Sequence, residues 1–110
     1  MNWIIINNIE QLEEIKTKSF QTPQLIYKHS ISCPTSSMTK YRLEKSEIPQ
    51  GIDFYYLDLI NYRAISNKIA EDYGVTHQSP QVLLIKNGIC TFNKSHHAIN
   101  MGSIETEAKR

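Results

Sequence analysis

Long apolar runs, cysteines and any surplus of charge are what this chain has least of, and each shortage excludes something. No apolar run approaches the roughly 20 residues that a membrane span needs. The stretch Trp3–Ile6 ends at once on Asn7 and Asn8, with no basic segment before it, so neither an export leader nor a membrane anchor is expected, and the cytoplasm is the expected compartment. Twelve Lys and Arg against eleven Asp and Glu leave a net charge of +1, too little to steer the chain toward nucleic acid or an anionic membrane surface. Only two cysteines are present, far apart, which rules out the stapled framework of a small secreted domain. There is no repeat and no low-complexity tract. A chain of 110 residues is long enough to bury one core and too short for two, so residues 1–110 are read as a single domain.

What is present alternates between strand and helix patterns. Trp3–Ile6 reads as a short strand. Asn7 or Asn8 can cap a following helix, in which Ile9, Leu12, Ile15 and Phe20 fall at helical spacing opposite Glu10, Glu13, Glu14 and Lys16. Pro23 ends that unit. A strand within residues 24–30 leads into Cys33-Pro34, where proline suits the first turn of a helix because its missing N–H has no partner to lose. Met38, Tyr41, Arg42 and Leu43 carry that helix toward Pro49-Gln50-Gly51. Residues 52–59 form a third strand. Asn61 opens a helix with Tyr62, Ile65, Ile69, Ala70 and Tyr73 on its apolar side and Gly74 as its cap. After a loop over 75–79 and Pro80, Val82–Ile85 is a strongly apolar strand, Asn87-Gly88 is a hairpin turn, and residues 89–94 return antiparallel. A short polar helix over about 100–110 closes the chain. The order β-α-β-α-β-α-β-β-α is that of an α/β fold with a mixed central sheet flanked by helices. Strands joined by helices imply parallel pairing, and the hairpin adds an antiparallel edge.

This order, with a cysteine at a strand-to-helix junction and a proline just before the hairpin, resembles the thioredoxin fold. Pro80 and Gly88 are spaced as the corresponding proline and glycine of thioredoxin are. More narrowly, Lys28-His29-Ser30, Ser32-Cys33-Pro34-Thr35-Ser36, Ser79-Pro80-Gln81-Val82 and Ser95-His96 resemble the bacilliredoxin family called YtxJ. The family motif is Cys-Pro-Ile-Ser, and Thr35 stands here in place of the isoleucine. The resemblance implies a monothiol oxidoreductase that removes bacillithiol from client proteins. It implies no bound cofactor, with bacillithiol or another low-molecular-weight thiol as co-substrate. It also implies a cis bond at Pro80, which exposes the backbone of Ser79 to a client.

The residues themselves support that chemistry. A thiolate is the nucleophile of disulfide exchange, and the start of a helix favours negative charge, so Cys33 ahead of Pro34 is the candidate nucleophile. Pro34, Thr35 and Ser36 would support the thiolate. Ser36 occupies the position of a second cysteine and can donate a hydrogen bond but cannot resolve a mixed disulfide. Ser79, Pro80, Gln81 and His96 are the candidate substrate-binding residues. His96 or His97 lines the groove or stands as a solvated edge residue, and His29 is equally open. Cys90, beyond the turn at the far end of its strand, is read as half-buried and too distant to bridge Cys33, because a disulfide needs Cα atoms within about 7 Å. Lys28 either helps to keep Cys33 ionised or is solvated. Cys33, His29, His96 and His97 fit no regular zinc spacing, so no metal is expected. The rival to an oxidoreductase is a thioredoxin-like module that holds peptides along Pro80 without turnover.

Overall fold

In the computed structural model, which describes residues 1–110, the elements are β1 (Ile4–Ile5), α1 (Gln11–Lys18), β2 (Gln24–His29), α2 (Pro34–Lys45), β3 (Asp53–Asp58), α3 (Arg63–Tyr73), β4 (Gln81–Lys86), β5 (Ile89–Ser95), a 3₁₀ turn (His96–Ala98) and α4 (Met101–Ala108). They build one sheet in the order β1-β3-β2-β4-β5. Every residue of the central strand β2 is buried, which requires a covering layer on each face. Alternation along the strands supplies the two cores. Ile26, Leu57, Leu83 and Ile85 point to one side and pack with Leu12 and Ile15 of α1 and Ile65 and Ile69 of α3. Leu25, Tyr27, Val82 and Leu84 point to the other and meet Leu43 of α2 and Met101, Ile104 and Ala108 of α4.

The mixed sheet expected from the element order is present, but its pairing differs in one place. β1 and β2 run parallel to β3, whereas β4 pairs antiparallel with β2, Lys28 opposite Gln81 and Gln24 opposite Ile85. The helix-linked strand β4 is therefore not parallel to its neighbour. The reason lies after α3, where Gly74 at φ 64° ends the helix and turns the chain. Residues 75–79 then return to the end of the sheet from which α3 departed, so β4 starts beside the end of β2. The hairpin expected at Asn87-Gly88 has both residues at positive φ (53° and 79°), a conformation that suits Asn-Gly. Ser19 clasps it from the end of α1: its carbonyl accepts from Asn87 N–H and its hydroxyl from Gly88 N–H, both at 2.9 Å. A bulge opposite Leu84/Ile85 puts Cys90 across from Ile85 and Phe92 across from Leu84.

Three further expectations change. β1 shrinks to two exposed residues, because Trp3 turns inward to stack on Tyr27 at 5.6 Å and donate its indole N–H to Glu44 at 2.7 Å. Phe20 lies beyond the end of α1 and is exposed, as is Ile9 ahead of it, leaving Leu12 and Ile15 as that helix's contribution to the core. The last helix is amphipathic rather than polar, since Met101, Ile104 and Ala108 recur at helical spacing and are all buried. No helix is long and apolar enough to cross a membrane.

Candidate active site

β2 delivers the chain to the open end of the sheet, and a turn closed by Cys33 N–H donating to Ser30 C=O (3.1 Å) leads into α2. Cys33 is the residue that precedes the helix, extended at φ −106° and ψ 115°, with Pro34 in the first turn. No side chain caps this helix, so its free N–H groups are left to the sulfur. The Ser36 N–H is the strongest influence holding the Cys33 thiol below its ordinary pKa; desolvation opposes it, and the Thr35 N–H and the hydroxyls of Ser36 and Thr35 add to it. Ser36 is itself locked in place. It is fully buried, its hydroxyl accepts from Ser30 N–H at 3.2 Å, and its carbonyl accepts from the Tyr27 hydroxyl at 2.8 Å. Burial raises the Tyr27 pKa, so that hydroxyl stays a donor.

At the same end of the sheet, where Gln81 of β4 pairs with Lys28 of β2, the Ser79–Pro80 peptide is cis and Pro80 is buried. The Pro80 carbonyl accepts from His96 N–H at 3.0 Å, which ties the start of β4 to the turn after β5. The Ser79 hydroxyl is buried with no partner. Gln81 is buried too, and its amide group is spent inside the protein: Nε2 donates to Thr76 C=O (3.1 Å) and Oε1 accepts from Gln78 N–H (3.3 Å). Its side chain therefore braces the loop that carries Pro80.

The four histidines separate. His29 is buried between Tyr27 and Tyr56, with ring centroids 5.8 and 5.3 Å away and Nδ1 unpartnered; burial, then Lys40, lowers its pKa and keeps it neutral. His96 is exposed, in the left-handed region at φ 55°. His97, the next residue, borders α2 alongside Thr35, Met38, Thr39 and Arg42. His77, which the sequence pattern did not single out, meets Lys28 beneath the Pro80 loop. Lys28 is neither solvated nor aimed at the sulfur. Fully buried on the α3 side of the sheet, its ammonium donates to Ser66 C=O at 3.1 Å and lies 3.5 Å from His77 Nδ1. Burial, then Arg63, lowers its pKa to about 8. No three His, Cys, Asp or Glu side chains are grouped to hold a metal ion.

Cys90 lies at the opposite end of β4 and β5, and on the other face of the sheet from α2. Its thiol donates to Phe92 C=O at 3.3 Å, and burial raises its pKa. Both cysteines are free.

A thiol at the start of α2 and a cis-proline loop at the same end of a mixed sheet define a thioredoxin-fold protein with a thiol site. The comparisons make this narrower. Residues 4–104 match the model of the monothiol bacilliredoxin BrxC, and the chain belongs to that family. A solved structure described as an oxidoreductase with a thioredoxin fold is 30% identical, with a TM-score of 0.82 over 97% of this chain and 93% of its own. Spinach chloroplast thioredoxin f is 12% identical at a TM-score of 0.78, covering 99% of this chain and 88% of its own. Thioredoxin from Trypanosoma brucei brucei is 16% identical at 0.73, covering 98% and 88%. The last two share the fold.

Proposed function

We propose that this protein is a cytoplasmic monothiol oxidoreductase that removes bacillithiol from mixed disulfides on client proteins. The Cys33 thiolate attacks the bacillithiol sulfur of a client's mixed disulfide. The Cys33–bacillithiol bond forms, the client–bacillithiol bond breaks, and the client leaves as a thiolate. A second bacillithiol thiolate then attacks the adduct, which regenerates Cys33 and releases oxidised bacillithiol. Electrons balance at each step, because one disulfide is exchanged for another. The carrying observation is the pairing of Cys33 with the N–H groups of Ser36 and Thr35, which favour its thiolate, while Ser36 supplies a hydroxyl where a resolving thiol would stand. Ser79 and Pro80, at the same end of the sheet, offer a backbone edge to the client.

The test is intact-mass analysis of the reduced protein after mixing with oxidised bacillithiol. One added bacillithiol per chain, mapped to Cys33, is expected. Alkylation rate against pH accompanies it and should place the Cys33 thiol below a free cysteine. No adduct, together with an ordinary thiol profile, would favour a peptide-holding module instead.

A further inference from the structure

Of the two side chains that β2 sends into the α2-facing core, Leu25 and Tyr27, only the second carries a polar atom. A hydroxyl taken out of water needs a partner there. It finds one in Ser36: the Tyr27 hydroxyl donates to Ser36 C=O at 2.8 Å, and both residues are fully buried. A carbonyl in the first turn of a helix already accepts from the amide four residues on, and it has a second lone pair to give. The bond from Tyr27 is therefore an added anchor on this turn and not the repair of an unsatisfied carbonyl.

Ser36 is held from two directions. Ser30 N–H, in the turn between β2 and α2, donates to its hydroxyl at 3.2 Å, and Tyr27 of the strand holds its carbonyl. The Tyr27 ring has little freedom of its own. Trp3 stacks on it at 5.6 Å with the planes 28° apart, His29 lies 5.8 Å away, and the Trp3 indole N–H is tied to Glu44 of α2 at 2.7 Å. No charged side chain contributes to the lowered pKa of Cys33, which comes from the N–H groups and hydroxyls of Ser36 and Thr35, the Ser36 N–H foremost. How those groups are aimed therefore decides how acidic the thiol is. Burial keeps the Tyr27 phenol well above its ordinary pKa, and Tyr56, Cys33 and Glu44 add to the rise against the opposing bond to Ser36, so it remains a donor wherever Cys33 ionises.

We propose that Tyr27 is a positioning residue of this site: by holding Ser36 through its carbonyl, it keeps the first turn of α2 set with its free N–H groups on the Cys33 sulfur. The inference rests on the reading of Cys33 as an exchange nucleophile and adds what aims the groups that favour its charge. One setting serves both halves of an exchange. Cys33 attacks as a thiolate and, when a second thiol cuts the adduct, leaves as one, with the bonding pair returned to its sulfur. Amides fixed in advance favour that charge each time it appears, without reorganisation. A looser turn makes the thiol less acidic. It is then scarcer as thiolate and a poorer leaving group, yet no weaker as a nucleophile once ionised.

The experiment compares wild type, Tyr27→Phe and Tyr56→Phe, each with Cys90→Ser so that one thiol reports. The Cys33 midpoint is read from iodoacetamide alkylation against pH. Tyr27→Phe keeps the ring and removes only the hydroxyl; it should raise the midpoint by about half a pH unit, which is about threefold less thiolate below both midpoints. Above both midpoints it should alkylate at least as fast as wild type, while the adduct formed with 2-mercaptoethanol disulfide should be cut more slowly by added thiol. Tyr56→Phe removes a hydroxyl from the same aromatic group without touching Ser36, and its midpoint should not move. Slower alkylation of Tyr27→Phe at every pH around an unmoved midpoint would mean a merely structural role and overturn the proposal. If Tyr27→Phe folds poorly, the wild type answers instead. The NMR signal of the Tyr27 ring carbon that bears oxygen should titrate with Cys33 and lie flat in Cys33→Ser; a signal flat in the wild type would also overturn the proposal. None of these measurements uses bacillithiol, so an absent bacillithiol adduct would remove the proposed substrate without touching the Tyr27 result.

Discussion

The two cysteines show opposite treatments of one functional group by one sheet. Cys33 stands where a strand ends and a helix begins, so unsatisfied N–H groups converge on its sulfur and its thiol is made more acidic. Cys90 lies inside a strand at the other end, where burial makes it less acidic and outweighs the backbone hydrogen bonds of Phe92 and Leu84 that favour its thiolate, and its proton goes to the Phe92 carbonyl. The difference owes little to neighbouring charges. Whether backbone amides outweigh burial, as at the helix start, or burial outweighs them, as inside the sheet, decides which sulfur reacts.

The strongest way to break this contrast is to remove each thiol. Cys33→Ser should abolish release of bacillithiol from a bacillithiolated client, whereas Cys90→Ser should keep the rate within about twofold, the usual size of a substitution remote from a site. Loss of activity in Cys90→Ser alone would reverse the assignment. A subtler intervention gives Cys33 a partner. Ser36→Cys places a second thiol one helical turn away, and the variant should release its own adduct and accumulate an internal disulfide, whereas the wild-type adduct persists until external thiol is added. A Cys33–Cys90 disulfide in oxidised wild-type monomer would contradict the separation of the two ends.

The smallest effect asks whether end or face matters, because Lys28 shares the end of Cys33 and the face of Cys90. Its pKa is lowered from 10.5 to about 8, so below pH 8 the folded protein carries an ammonium that burial disfavours. That cost is removed as pH rises through the window from 8 to 10.5, where the unfolded chain binds more protons than the folded one. Denaturation of wild type and Lys28→Met at pH 7 and 10.5 should therefore show the wild type gaining about 1–3 kcal/mol relative to the variant. The alkylation midpoint of Cys33 should not move, since Lys28 is not among the groups that set it. A shift of that midpoint would mean that the faces of the sheet communicate.

Much of this was legible in the sequence where the signal is local. Pro34 announces a helix start, Asn87-Gly88 a hairpin and Gly74 a helix end, and each acts through its own backbone. The element order follows from such signals, and that order, with Cys33 at a strand-to-helix junction and Pro80 before the hairpin, carries the resemblance to the thioredoxin fold. Features that join distant segments were not legible. Nothing near Val82 says that β4 runs against β2, because the reversal is made by the return of residues 75–79. Lys28 reads as solvated by residue type, and only α3 and the Pro80 loop bury it. The candidate His96 illustrates the site's limit. A 3₁₀ turn follows β5, and at three residues per turn neighbouring side chains diverge, so His97 borders α2 while His96 does not, although both are exposed. Gln81 was a candidate for contact with substrate and is instead consumed in holding its own loop.

The margins of the sheet carry one more consequence. Its outer strands are β1, only two residues long, and β5, which is bulged and bears Asn93 and Lys94 on its exposed stretch. Short, kinked, charged borders are poor templates for adding another chain's backbone. A small mixed sheet with long, flat, apolar borders would be exposed to lasting strand pairing whenever two copies meet. With its flanks blunted, this chain can approach another surface without extending its sheet into it.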